Sequence, residues 1–260
     1  MDLRPDMTMH PTRRQSEVLK AVMLRGSCGI RELAVEFAVS DETIRRDVKS
    51  LVAEGLVVKV HGAVLVPERL REPPFQRRMH AMREEKQRIA LAAARTIRDG
   101  QSLMVDTGST TCYVAQALRE HSNLTLVTNS AEIARTLATR NGNRVYMAGG
   151  ELRGDDGAAL GSSAVAFVRQ FQVQTAILSI GGIDHREGLM DAHLEEAEFS
   201  RTVIAQAERT LVVADHTKFG RKGFVKVCEW EAIDELVTDR VVPPPFANQL
   251  ARAGVAVQTA

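Results

Sequence analysis

Apolar residues recur at helical spacing three times near the start of the chain. Val18, Leu19, Val22 and Met23 form one set, Ile30, Leu33, Ala34 and Phe37 a second, and Ile44, Val48, Leu51 and Val52 a third. Spacings of three and four residues place each set on one face of a helix. Gly26 and Gly55 read as stops for the first and third helices. Ala38 and Val39 form a tight break before Ser40, whose hydroxyl can cap a third helix with Asp41 and Glu42 favourable in its first turn. Beyond Gly55 the period changes to that of strands: 56–60, a turn at His61-Gly62, and 63–66 predict a two-stranded wing.

A short helix, a tight turn and a capped helix put the N-terminal half of the last helix on the surface, where it can enter a major groove. Arg45, Arg46 and Lys49 point away from its apolar face, with Glu42 and Thr43 near its entrance. Guanidinium groups suit both phosphate neutralisation and bidentate reading of guanine. A solvated helix face accounts for any one of these charges; spacing, cap, cationic helix and hairpin together point to double-stranded DNA. Residues 8–66 are read as a winged helix-turn-helix, with Ser40, Thr43, Arg45, Arg46, Lys49, Lys59 and His61 as the DNA contacts. Asp47 is expected to pair with a neighbouring arginine and hold its rotamer.

Pro67, Pro73 and Pro74 among charged residues predict a linker over 67–78. From 79 to 242, short β-type runs alternate with helical patterns, starting with a long helix over 77–97, and this predicts an α/β domain; 243–260 is left as a C-terminal segment. Strand 102–105 runs into Asp106-Thr107-Gly108-Ser109-Thr110-Thr111 and then a helix through Val114, Ala115 and Leu118. Backbone N–H groups, hydroxyls and the helix dipole there make an anion cradle. An ordinary βα turn with a hydroxyl cap is the plainer reading of that loop alone. Further loops follow strand ends at Asn129-Ser130, Gly149-Gly150, Gly181-Gly182-Ile183-Asp184 and Asp215 to Gly220. Such loops in open α/β sheets gather at one edge and hold ligands. The expected effector contacts are Asp106, Gly108, Ser109, Thr110, Thr111, Asn129, Gly150, Gly182, Asp184 and Lys218.

Composition sharpens this picture in one respect. The 260-residue chain is 44% hydrophobic and 26% charged with a net charge of +1, a globular balance that by itself suggests no nucleic-acid partner. The charge is polarised, however: residues 1–98 hold 19 basic and 13 acidic residues, and 99–260 hold 15 and 20. The basic reading head lies on one side of that division. Cys28, Cys112 and Cys228 are isolated, with no C-x-x-C pair to suggest zinc or a disulfide framework. The longest apolar run, 89–94, is far below the ~18 residues of a membrane span, and the N-terminus lacks an apolar targeting core. A cytoplasmic protein in a reducing compartment is expected, with no membrane partner.

Ser40-Asp41-Glu42-Thr43-Ile44-Arg45-Arg46-Asp47-Val48 and the wing Val60-His61-Gly62-Ala63 closely resemble the DeoR family of bacterial transcriptional repressors. The family's wing usually has two glycines after the histidine; here Gly62 stands alone. In the second block, D-T-G-S-T-T at 106–111, T-N-S at 128–130, A-G-G-E-L at 148–152, G-G-I-D at 181–184, the segment 195–198 and D-H-T-K-F-G at 215–220 resemble that family's sensor domain. The likeness covers about residues 12–240 and within the family is nearest to the glycerol-3-phosphate regulon repressor group, though Met190 to Glu198 departs from that group's pattern. It implies a sensor fold related to ribose-5-phosphate isomerase, a phosphorylated sugar or polyol such as glycerol 3-phosphate as effector, repression of carbohydrate or polyol genes, and a homo-oligomer, dimer or tetramer.

Two other functions compete. A sugar-phosphate isomerase would draw on Asp106, Asp184, Glu195, Asp215 and Lys218, yet no single base stands out and a winged helix has no role in it. A metal site built from Asp184, His185, Asp191, His193 and Glu195 fits no standard spacing. The sequence therefore predicts a regulator without catalytic residues, metal or cofactor.

Overall fold

The computed structural model describes residues 12–60, 62–67 and 72–260, apart from the side chain of Leu24. His61 of the wing lies outside the described residues. The chain divides into two compact units, residues 1–71 and 72–260.

In the first unit, α1 (Arg13–Arg25) opens on a capping box: Gln15 N donates to Thr12 Oγ1 at 3.3 Å and Thr12 N to Gln15 Oε1 at 2.7 Å. Gly26, at φ 76°, closes α1 in the left-handed conformation that glycine adopts without a Cβ clash. Strand β1 (Ser27–Gly29) leads into α2 (Ile30–Glu36), and a turn through Ala38 (φ 53°) leads to α3 (Asp41–Ala53). Leu19, Val22, Leu33, Ile44, Val48 and Leu51 close the core between the three helices. Val52, expected on the same face, is 40% exposed, because it lies at the edge of the buried stripe of Ile44, Val48 and Leu51. The wing is β2 (Val58–Val60) against β3 (Ala63–Leu65), and β1 adds a third antiparallel strand in the order β1-β3-β2. Three residues of small side chains gave β1 no readable period.

The second unit is built on a seven-stranded parallel sheet: β4 (Ser102–Val105), β5 (Thr125–Thr128), β6 (Arg144–Met147), β7 (Val173–Leu178), β10 (Ala207–Val213), β12 (Glu235–Thr238) and β13 (Ala256–Thr259). Their spatial order is β13-β12-β10-β7-β4-β5-β6, so the chain winds outward from β4 and then restarts at β7 in the opposite direction. Both faces are covered. Leu103, Val105 and Leu126 pack beneath α5 (Arg83–Ala94), α6 (Ser109–Ala117) and α7 (Ala131–Leu137). Met104, Val127 and Leu178 face α8 (Ser162–Val168) and α9 (Leu194–Ala205) on the other side. That alternation is the period of two that strands impose, and burial on both faces is why these strands read as unbroken apolar runs. A small antiparallel sheet, β11-β9-β8, comprises β8 (Gly182–Asp184), β9 (Gly188–Asp191) and β11 (Val225–Cys228).

Three segments depart from the sequence expectations. The region read as linker over 67–78 belongs from Glu72 onward to the second unit and turns helical in α4 (Phe75–His80). The long helix expected over 77–97 is two helices, α4 and α5, broken at Met82 (φ 50°). The C-terminal segment is part of the fold: α10 (Pro244–Arg252) buries Phe246 and Leu250, and β13 extends the sheet beside β12.

Candidate functional site

On α3 the cap and the expected DNA contacts share residues. Ser40 Oγ accepts from Thr43 N at 3.2 Å and lies 2.9 Å from Thr43 Oγ1. Arg45, Arg46 and Lys49 are exposed, as is Lys59 on β2. Asp47 points the other way: it is 5% exposed and accepts from Arg14 Nε at 2.6 Å and Nη2 at 3.3 Å. The partner expected beside it on α3 is instead on α1. The hydrogen bond to Asp47, and then its charge, raise Arg14 above its ordinary value. Arg45, Arg46 and Lys49 thus face outward from α3 and Asp47 inward.

In the second unit all the large sheet's paired strands run parallel, so their carboxyl ends lie along one edge. At the reversal between β4 and β7, where loops diverge and leave a crevice, a polar cavity opens to solvent. Asp106, Ser109, Thr110, Asn129 and Lys218 of the expected set line it, together with Thr107, Arg78, Arg153, Asp156, Ser179, Asp191 and Glu196.

Each loop is fixed by its neighbours. Asp106 is buried and accepts from Ser179 N at 3.1 Å, joining the ends of β4 and β7; burial pushes its carboxyl well above the ordinary range. Asn129 accepts from Thr107 N at 2.9 Å and donates to the carbonyl of Ala159 at 3.1 Å. Gly108 permits the approach of α6 to β7, since a Cβ there would sit 2.0 Å from Ser179 Oγ. Behind the cradle, Lys86 Nζ donates to Ser109 Oγ at 3.0 Å and to the carbonyl of Arg78 at 2.5 Å; burial lowers it to about 8. Asp215 caps the 3-10 turn His216–Lys218 that presents Lys218, and burial lowers the lysine as well. Across the cavity Arg153 binds both Asp156 and Glu196 at 2.5 Å; burial works against its charge, and the two carboxylates more than offset this and raise it.

Several expected contacts serve elsewhere. Thr111 is fully buried, with Oγ1 on the carbonyl of Gly108 at 3.1 Å. Gly108 and Gly150 do not line the cavity. Gly182 is a packing glycine, because a Cβ would lie 2.3 Å from the carbonyl oxygen of Arg221. Asp184 accepts from Arg186 N at 2.9 Å and Glu187 N at 3.1 Å, closing the turn between β8 and β9 rather than entering the cavity. Arg78, Arg153 and Glu196 line the cavity and Lys86 supports Ser109 from behind; none of the four was in the expected set. The A-G-G-E-L-R run held a signal for Arg153 and the acidic segment 195–198 one for Glu196. Among the described residues, Glu72, His193 and Glu196 bring potential metal-ligating atoms within 4.8 Å. Arg78 and Arg153 pair with the two carboxylates of that group. Burial pushes the Cys112 thiol up to about 12, consistent with packing rather than reactivity.

A winged helix with an outward cationic helix, in one chain with an α/β unit carrying a polar switch-point cavity, defines a DNA-binding regulator with a sensor domain. The model of the DeoR-like helix-turn-helix domain matches residues 14–69, and that of the DeoR C terminal sensor domain matches residues 81–240. The glycerol-3-phosphate regulon repressor of Escherichia coli (strain K12) is 36% identical over 92% of this chain and 94% of its own. The HTH-type transcriptional repressor CsqR of the same organism is 33% identical over 94% of this chain and 93% of its own. The chain belongs to the DeoR family and is a transcriptional repressor rather than an enzyme. Ribose 5-phosphate isomerase from Plasmodium falciparum aligns with 54% of this chain and 54% of its own at a TM-score of 0.39 and 13% identity, a likeness too remote to argue from. Among the described residues no helix is long and apolar enough to cross a membrane.

Proposed function

We propose that this repressor, acting in the cytoplasm as a homo-oligomer, leaves its operator when a phosphorylated sugar or polyol enters the β4–β7 cavity. The observation that carries the reading is the convergence of Ser109 and Thr110 at the start of α6 with Lys218 and Arg153 around one cavity. Hydroxyls, helix N–H groups and fixed cations favour a phosphate, and the surrounding carboxylates Asp156, Asp191 and Glu196 are acceptors for sugar or polyol hydroxyls. Glycerol 3-phosphate is the first candidate, since a relative of 36% identity is named for that regulon. Arg45, Arg46 and Lys49 would contact the operator in the major groove, with Lys59 on the backbone. A hundredfold derepression requires about 2.7 kcal/mol of coupling between the two sites. A thermal-shift screen of phosphorylated sugars and polyols tests the reading. A ligand at 100 times its Kd adds about 2.7 kcal/mol of stability, and no shift with any of them would remove the proposed effector class.

A further inference from the structure

Arg78 meets the cavity in a half-satisfied state. Its Nη1 donates to Glu72 Oε1 at 2.9 Å, while its Nε is buried without a hydrogen-bond partner. Its Nη2 is 3.8 Å from Asp155 and 4.0 Å from Asp156. The guanidinium is held in place by the Phe75 ring, 5.4 Å from its centroid, and by Lys86 on its own carbonyl. A phosphate can bridge Nη1 and Nη2 of one guanidinium with two oxygens, as the single contact from Glu72 does not, so it competes with Glu72 for Nη1.

Glu72 is the weaker member of the pair. It lines the same cavity, near His193 and Glu196, so its carboxylate sits among other acids and is retained against their repulsion by Arg78. It is also the first residue of the second unit, where the chain arrives from the DNA-binding unit, followed by Pro73 and Pro74.

We propose that Arg78 is an effector-anion contact whose place is held in the unliganded sensor by Glu72, so that the effector's phosphate displaces Glu72 and frees the chain at its entry into the sensor. This rests on the effector reading above and supplies its link to DNA release. Glu72 acts as a built-in competitor: its affinity for Arg78 sets how much effector is needed.

The test uses the full chain, inorganic phosphate and glycerol 3-phosphate as probes, calorimetry for binding, and anisotropy of an operator duplex selected from a random pool. Glu72→Gln is expected to bind both probes at least about fivefold tighter and to leave the duplex at correspondingly lower glycerol 3-phosphate, a coupling of ordinary size. Glu72→Asp, which keeps the charge on a shorter side chain, is expected to fall between it and the wild type. Arg78→Lys is expected to lose affinity for both probes. Equal probe affinities for wild type, Glu72→Gln and Glu72→Asp would overturn the competition while leaving the effector site standing. If no variant binds either probe, the same comparison is made with the sugar phosphate found by the screen, and equal affinities there overturn the competition in the same way. A negative screen would remove both.

Discussion

Arg14 on the first helix grips Asp47 on the buried side of the reading helix, with 2.6 Å and 3.3 Å contacts from Nε and Nη2. The pair separates two sides within five residues of α3: Asp47 packs inward, and Arg45, Arg46 and Lys49 are left to face outward. Changes on the two sides should therefore have different signatures. Asp47→Ala is expected to lower the melting temperature of the DNA-binding unit and operator affinity together. Arg46→Ala should reduce operator affinity by ~10-fold or more, the cost of a lost base or phosphate contact, at unchanged melting temperature. Calorimetry paired with a salt-controlled gel shift reads both; normal operator affinity for Arg46→Ala would count against the assignment.

The sensor's fit at Gly108 is steric. Its φ of 166° is open to any residue, but a Cβ would lie 2.0 Å from Ser179 Oγ and 2.9 Å from Ser179 Cβ. Gly108→Ala is expected to lower the sensor's melting temperature and blunt its ligand response. Adding Ser179→Gly removes both clashing atoms and should recover much of the loss, since the backbone N–H that bonds Asp106 remains. A single variant that melts like the wild type would refute the close approach.

Lys86 gives a pH signature. Burial lowers its folded value to about 8, below its unfolded value of 10.5, so the unfolded chain binds the extra proton between the two. Its contribution to stability should rise as pH climbs through that window, and below it the penalty for the buried charge is fully present. Neutral Lys86 also offers less to a phosphate beside Ser109, so effector affinity should fall over the same range. Urea titrations of wild type and Lys86→Met at about pH 7.5 and about pH 9.5 isolate the lysine, because the variant should lack its share of the rise. Parallel pH profiles for the two proteins would exclude this role.

The readable parts were those carried by local patterns. Ser40, the apolar stripe of α3 and the strand–loop–helix around Asp106 each declare themselves within about ten residues, through a cap, a period or a glycine with hydroxyls. Lys218 was legible as a cation in a loop at a strand end. Arg78, Arg153 and Glu196 are brought to one cavity from distant positions by the reversal between β4 and β7, and local spacing does not encode that meeting. Gly182 and Asp184 show that packing and turn closure use the same residue types as ligand loops: one is pressed against Arg221, the other bonds the next turn's N–H groups. The net charge of +1 is a total that hid a basic reading head.

The most direct test of the whole account is an effector titration of the protein–operator complex, followed by anisotropy, for wild type and Thr110→Ala. Thr110 lines the cavity at the start of α6 and belongs to the sensor unit. The account predicts that glycerol 3-phosphate, or the sugar phosphate found by screening, releases the wild type, while Thr110→Ala holds the operator with normal affinity and fails to let go. Release of Thr110→Ala at the wild-type effector concentration would contradict it.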